Sequence, residues 1–281
     1  MKHKSIKRTK KITQRTKSPI ESPKPKQTTV YIAGDWPIVV EYIGLCSANG
    51  FSVAYNCTSL PPELPRFDAE LVRKAAQIPH DAALALELSN VDLNQKRKNL
   101  ELLDQALPPT TAIVSSSVTV SATEQSSWIK HRSRLVGCGA LPTLVDKPLI
   151  EIAPTVFSPA GTVEVVQRFF KSVGKEIELV QDRVGLVFPR VICQMINEAA
   201  FALQDDTASP QDIDKAMKLG AHYPFGPIEW ADRIGLQQVY AVLAALHGDL
   251  AEDRYRISPF LKQMAVGGTW WHPTQATIEE R

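Results

Sequence analysis

An apolar run, Val30-Tyr31-Ile32-Ala33, leads into Gly34 and then into a second apolar run, and a glycine so placed suits one kind of chemistry. A glycine turn between a buried strand and a helix presents backbone N–H groups at a helix N-terminus, where they hold phosphate oxygens. The helical run after Gly34, the Asn49-Gly50 turn and the strand from Phe51 to Tyr55 complete the strand–turn–helix–strand frame of a dinucleotide site. That site requires three glycines: one for the turn, one for close approach of the pyrophosphate and one for helix–strand packing. Only Gly34 is present. Trp36 and Val39 occupy the other two positions, and Pro37 removes an amide donor. The acid expected ~20 residues on, for a ribose hydroxyl, is replaced by Tyr55, Asn56 and Cys57.

Other chemistry-bearing residues are scattered. His131 is expected on a polar loop, His222 in a turn, His80 in a linker beside Pro79 and His247 at a helix end, all structural or solvated rather than catalytic. Cys46, Cys57, Cys138 and Cys193 have neither a C-x-x-C nor a disulfide-framework spacing, so the thiols are expected to be reduced and no metal site is indicated. With no apolar run of membrane-spanning length and no signal-peptide core, the expected location is cytoplasmic.

The elements that position these residues change character along the chain. From Val30 to Asp182, strand-like runs (81–88, 111–117, 133–141, 148–154, 175–182) alternate with helical ones (94–107, 162–174), as in an α/β layer with a mostly parallel sheet. The segment 69–77, Ala-Glu-Leu-Val-Arg-Lys-Ala-Ala-Gln, reads as a short helix. After Asp182 the pattern is helical throughout: 190–204, 209–220 with a start at Ser209-Pro210, then two further runs in 235–250 and 258–268.

At 281 residues, 44% hydrophobic and 22% charged, the chain has the composition of an ordinary globular protein. Its net charge of +2 averages unlike parts, because residues 1–28 hold ten Lys/Arg against the single acid Glu21, leaving the body acidic. This tail has too few apolar residues to offset its ordering entropy and reads as a disordered solubilising arm, with weak contact to nucleic acid or an anionic surface as the functional alternative.

The helical half carries a resemblance. Residues 197–236 and 253–264, with Asp212, Asp214, Met217, Gly220, Pro224, Gly226, Pro227, Asp232, Gly235, Tyr255, Pro259 and Leu261 at motif positions, closely resemble the C-terminal domain of L-3-hydroxyacyl-CoA dehydrogenases. The resemblance implies a truncated, doubly wound Rossmann-like domain followed by an all-α C-terminal dimerisation domain. It implies NAD as cofactor and an acyl-CoA as substrate. The expected boundaries are a tail over 1–28, a degenerate NAD-binding-type domain over 29–183, a helical domain over 184–268 and a C-terminal tail over 269–281, with Trp270-Trp271 as a packing element.

Against the family's motifs, Glu87 and Lys96 match a cofactor-contacting segment, although Val91 and Asp92 depart from it, and the commoner reading of Lys96 is a solvated helix lysine. Of the catalytic positions, Glu151 alone matches. Gly139 stands for the histidine, Pro142 and Pro189 for the asparagines, and Val118 for the serine, unless a one-residue shift supplies Ser117 or Thr119. Glu151 without the imidazole reads as a strand-end acid bonded to backbone. The expectation is a family member that has lost hydride transfer and persists as a homodimeric binding or scaffold protein, with NAD binding weak or absent. The alternatives are an active or redirected NAD-dependent dehydrogenase and a module tethered to polyanions by its tail. A homodimer built by the helical domain is expected from the apolar runs 191–203 and 239–250, and a charge at Ile196 or Leu243 is expected to weaken either dimerisation or folding.

Overall fold

A computed structural model describes residues 28–57 and 67–268; the basic tail and Trp270-Trp271 lie outside the described residues. The chain builds one eight-stranded sheet, followed by a helical domain. The strands are β1 (Thr29–Gly34), β2 (Ser52–Cys57), β3 (Val72–Lys74), β4 (Leu84–Leu88), β5 (Ala112–Ser116), β6 (Leu135–Cys138), β7 (Leu149–Pro154) and β8 (Glu176–Leu179), in the order β3-β2-β1-β4-β5-β6-β7-β8. All neighbours are parallel except β6 and β7, which run antiparallel with Val136 opposite Pro154 and Cys138 opposite Ile152. The segment 139–148 is therefore a return between adjacent antiparallel strands.

Side-chain alternation along the strands separates two layers. Val30 and Ile32 of β1 face Ile38, Val39 and Ile43 of helix α1 (Trp36–Ala48) and, across that layer, Val166 and Phe170 of α4 (Ala160–Ser172). Tyr31 and Ala33 point to the opposite face, onto Leu100 and Leu103 of α2 (Leu93–Ala106). The short helix α3 (Ala122–Ser126) packs on this second face, capped by the Ser121 hydroxyl, and the Asp182 carboxylate accepts its first N–H groups, from Ala122 (2.8 Å) and Thr123 (2.6 Å).

The helix expected within 69–77 is instead strand β3. Its backbone pairs with the outer edge of β2, Val53 N–H donating to Leu71 O and Ala75 N–H to Tyr55 O. An isolated helix of this length is marginal, whereas an unpaired sheet edge next to it offers ready partners.

The helical domain comprises α5 (Phe188–Gln204), α6 (Pro210–Gly220), α7 (Pro227–Ile234), α8 (Leu236–Leu250) and α9 (Pro259–Gly267). Of the two roles left open for Ile196 and Leu243, dimer contact or domain core, the second is seen: both are buried in this domain's own core with Cys193, Trp230, Val239 and Leu246. Both helices are too apolar for one wet face because they pack mainly on each other and on α7 and α9. The apolar residues left outward on α5 are Val187, Phe188 and Val191.

Candidate functional site

The turn after β1 is built around contacts that leave little room at its centre. Gly34 has φ +142°, and a Cβ there would stand 2.4 Å from the Leu88 carbonyl carbon and 2.7 Å from Ser89 N. Only glycine fits against the end of β4. The Asp35 carboxylate then reaches across the sheet ends, accepting the N–H groups of Asn90 (2.8 Å) and Val91 (3.2 Å) and the Gln238 side-chain amide (2.7 Å). Gln238 is on α8, so this carboxylate joins the sheet to the helical domain. Asn90 closes the network, donating from Nδ2 to Gln238 Oε1 (3.0 Å) and to Ala140 O (2.9 Å). The Trp36 indole is buried and lies 6.3 Å, centroid to centroid, from Tyr55 at the carboxyl end of β2. Pro37 occupies the first turn of α1. Beside these residues is a cleft of about 570 Å³, walled by Asp35, Trp36, Val91, Leu236, Gln237 and Met264 among others.

Glu87 and Lys96 form a fully buried ion pair at 2.5 Å. Lys96 also donates to Ser89 O (2.9 Å), and Glu87 accepts from Ser89 N–H (3.2 Å), Asn99 Nδ2 (3.1 Å) and Ser115 Oγ (3.2 Å). Lys96 is neither the solvated helix lysine of the sequence reading nor open to a ligand. Asp92 caps α2 through the Asn94 and Gln95 amides, so the helix starts directly at the end of β4. Its first inward-facing side chain therefore meets Glu87 under the strand end. Glu87 is thus saturated by donors and paired with a cation, the arrangement a buried carboxyl group requires.

Glu151 and Gly139 are neighbours: a Cβ on Gly139 would lie 3.5 Å from Glu151 Oε2. The carboxylate is committed to α5, accepting the N–H groups of Val187 (3.0 Å) and Phe188 (2.7 Å). Its negative charge sits at the positive end of that helix, a favourable placement. Where an imidazole would project there is a cavity of about 230 Å³ lined by Gly139, Leu144, Lys147, Leu149, Glu151, Phe188 and Pro189. The Lys147 ammonium lies 5.2 Å from the Trp230 ring and 5.5 Å from Phe225. Ser117 is turned away, buried against Gly137 with Oγ 3.4 Å from Cys138 O. Thr119 instead lines a groove of about 530 Å³ with Asn90 and Tyr240, and its buried Oγ1 has no hydrogen-bond partner among the described residues. Val118, at the ungapped serine position, is fully buried in the helical-domain core.

The described histidines stay outside this site. His131 Nδ1 lies 3.2 Å from Asp104, which also pairs with Arg134; the Arg134 guanidinium caps the carbonyl end of α2 at Leu103, Leu107 and Pro108. His222 adopts φ +58°, in keeping with a turn role. Among the described residues there is no group of three or more metal-ligating side chains, and no helix is long and apolar enough to cross a membrane.

This geometry has close counterparts. Residues 69–183 match the family model of the 3-hydroxyacyl-CoA dehydrogenase NAD binding domain, and residues 185–277 match that of the C-terminal domain. The chain belongs to the 3-hydroxyacyl-CoA dehydrogenase family. It is 30% identical over 195 residues to a 3-hydroxybutyryl-CoA dehydrogenase of Bradyrhizobium diazoefficiens, covering 69% of this chain and 67% of that protein. It is 32% identical over 184 residues to the Clostridioides difficile protein of the same name, covering 66% of each. The chain thus spans about two thirds of the length of these relatives. The crystal structure of (S)-3-hydroxybutyryl-CoA dehydrogenase from Ralstonia eutropha superposes with a TM-score of 0.70 at 22% identity, over 86% of this chain and 95% of that one, and so shares the 3-hydroxyacyl-CoA dehydrogenase fold. The NAD-binding match begins at residue 69, past the β1–α1–β2 unit that contains Gly34, Asp35 and Trp36.

Sequence reasoning located Gly34, Glu87, Lys96 and Glu151 and missed the partners that assign their roles. Asp35 was visible only as a non-glycine in the turn. Gln238, 203 positions away, sits on a helix whose amphipathic pattern says nothing of Asp35.

Proposed function

We propose that this protein is a 3-hydroxyacyl-CoA dehydrogenase family member that no longer transfers hydride and acts as a homodimeric binding or scaffold protein. The observation that supports it is Asp35. Its carboxylate occupies the Asn90 and Val91 amides at the sheet ends, so a fixed negative charge stands at the turn where a dinucleotide would bring its pyrophosphate. The residues present do not fit that cofactor. Gly34 is accounted for by backbone packing on β4, Trp36 packs on Tyr55 in the 55–57 segment that lacks the ribose acid, and Pro37 offers no N–H.

The chemistry of the second half of the site agrees. Oxidation of a secondary alcohol needs a base within hydrogen-bond reach of the hydroxyl, and loss of such a base alone lowers rates by about 10²–10⁴-fold. Gly139 supplies none, Lys96 is consumed by Glu87, and Glu151 holds two helix amides. The cleft of about 570 Å³ between α1, α8 and α9 remains, and an acyl-CoA is the first ligand to test there.

Calorimetric titrations with NADH and with acetoacetyl-CoA, run separately on the full chain, test this reading. We expect no heat with NADH and no oxidation of 3-hydroxybutyryl-CoA. Micromolar NADH binding would refute the reading and restore an NAD-dependent dehydrogenase. Acetoacetyl-CoA binding alone marks a ligand sensor, and silence with both marks a scaffold.

A further inference from the structure

Glu41 on α1 faces the 139–148 return, which carries Gly139 and supplies Leu144 and Lys147 to the 230 Å³ cavity. Its Oε1 accepts the Thr143 N–H at 2.7 Å, a contact across 102 positions of sequence. Its Oε2 is shut off from solvent and has no hydrogen-bond partner among the described residues, and neither has the buried hydroxyl of Thr143. Thr143 itself is held in the left-handed region at φ +70°, an unusual place for a β-branched residue that needs outside restraint. On the far side of the return, Lys175 Nζ donates to the carbonyls of Val145 and Lys147. The return is therefore clamped by one carboxyl group and one ammonium.

A carboxylate with an unsatisfied buried oxygen is costly when charged and tolerable when protonated. Burial pushes the Glu41 carboxyl up to about 7, opposed by the Thr143 N–H and reinforced by the nearby Asp146 carboxylate. The other titratable groups around this contact do not offset that charge. Tyr42, Cys46 and Cys138 are driven upward by burial, both thiols to about 12, and stay neutral. Lys175 is committed to its two carbonyls, its ammonium disfavoured by burial and favoured by Asp146, while Lys147 lies over the Trp230 and Phe225 rings.

We propose that the proton on Glu41 is a latch for the 139–148 return, seating it when present and releasing it, with the wall of the adjoining cavity, when lost. The sign follows from linkage. The closed state binds the proton more tightly than an opened one, in which Glu41 regains an ordinary carboxyl of 4.5, so closure is strongest at low pH. It weakens as pH rises from about 4.5 to about 7 and levels off above. The latch works whether the cavity holds a ligand or not, and so stands apart from the loss of hydride transfer.

Amide hydrogen exchange of Thr143 in the full chain, normalised to intrinsic rates, reads the latch directly. The protection factor is expected to fall about tenfold or more between pH 5.5 and 7.5, since each pH unit inside the window is worth about tenfold in the opening equilibrium. In Glu41→Gln, which keeps an acceptor for the Thr143 amide but cannot ionise, protection should stay flat. Asp146→Asn should move the wild-type transition to lower pH by removing a like charge. A Thr143 protection profile with the same pH dependence in Glu41→Gln as in wild type overturns the proposal, as does a Glu41 carboxyl carbon that titrates near 4.5 by NMR.

Discussion

Replacing Asp35 by alanine removes an anion shared by three donors from both domains, and the size of the effect can be worked from the contacts. The Gln238 bond is short, 2.7 Å, and Gln238 is buried at 5% exposure, so its amide has no ready substitute for the carboxylate. The Val91 amide belongs to a residue 46% exposed and can recover water. Hydrogen bonds to charged groups are worth about 1.5–3 kcal/mol each when nothing replaces them. Counting the buried bond near the low end and the rest lightly, Asp35→Ala should cost about 2 kcal/mol, or ~4–8 °C in Tm for a domain of this size. A double-mutant cycle with Gln238→Ala separates the bridge from everything else that either substitution disturbs. The coupling energy by urea unfolding should be about 1.5 kcal/mol, because the pair is in direct contact. Additivity of the two single variants within about 0.5 kcal/mol would show that Asp35 does not join the domains. Asp35→Ala should also fail to gain NADH binding, since Trp36 still covers Tyr55.

Lys96→Met should destabilise by about 3–5 kcal/mol, because Glu87 is left charged and buried, and Glu87→Gln added to it should recover most of the loss in thermal unfolding. A cofactor-contacting lysine would instead show little change in Tm. Glu151→Ala should cost about 1–2 kcal/mol by freeing two amides at the start of α5, with urea unfolding as the measure; an unchanged midpoint would mean that the Val187 and Phe188 amides find other partners. For the homodimer, Val191→Asp is the informative variant: at 59% exposed it should leave Tm within about 0.5 kcal/mol of wild type yet shift sedimentation from dimer to monomer. A monomeric wild-type chain at micromolar concentration would remove the dimer altogether.

Most of the fold was legible because it rests on local periodicity. The strands 81–88, 111–117 and 148–154 and the helices from 94, 162, 190 and 209 follow from alternation, 3.6-residue stripes and caps such as Ser209, whose hydroxyl accepts the Asp212 N–H. The miss at 69–77 came from a competitor the local pattern cannot contain, a sheet edge awaiting partners. Burial direction stayed open for a related reason: apolar helices at 190–204 and 235–250 require burial, but whether by their own domain or by a second chain depends on packing. Ile196 and Leu243 are covered from within.

The sequence by itself determined the family and marked the residues of the proposed site, since Gly34, Trp36, Val39, Gly139 and Glu151 are read by type and place. Only the tertiary structure decided which partners the charged residues around them take. The Asp35 carboxylate lies on Asn90, Val91 and Gln238, Lys96 turns inward to Glu87, and Glu41 meets Thr143 across the sheet end. Each of these roles is a contact between residues far apart in sequence or on different elements. A charged side chain's partner is fixed by distance and desolvation rather than by anything local to its position.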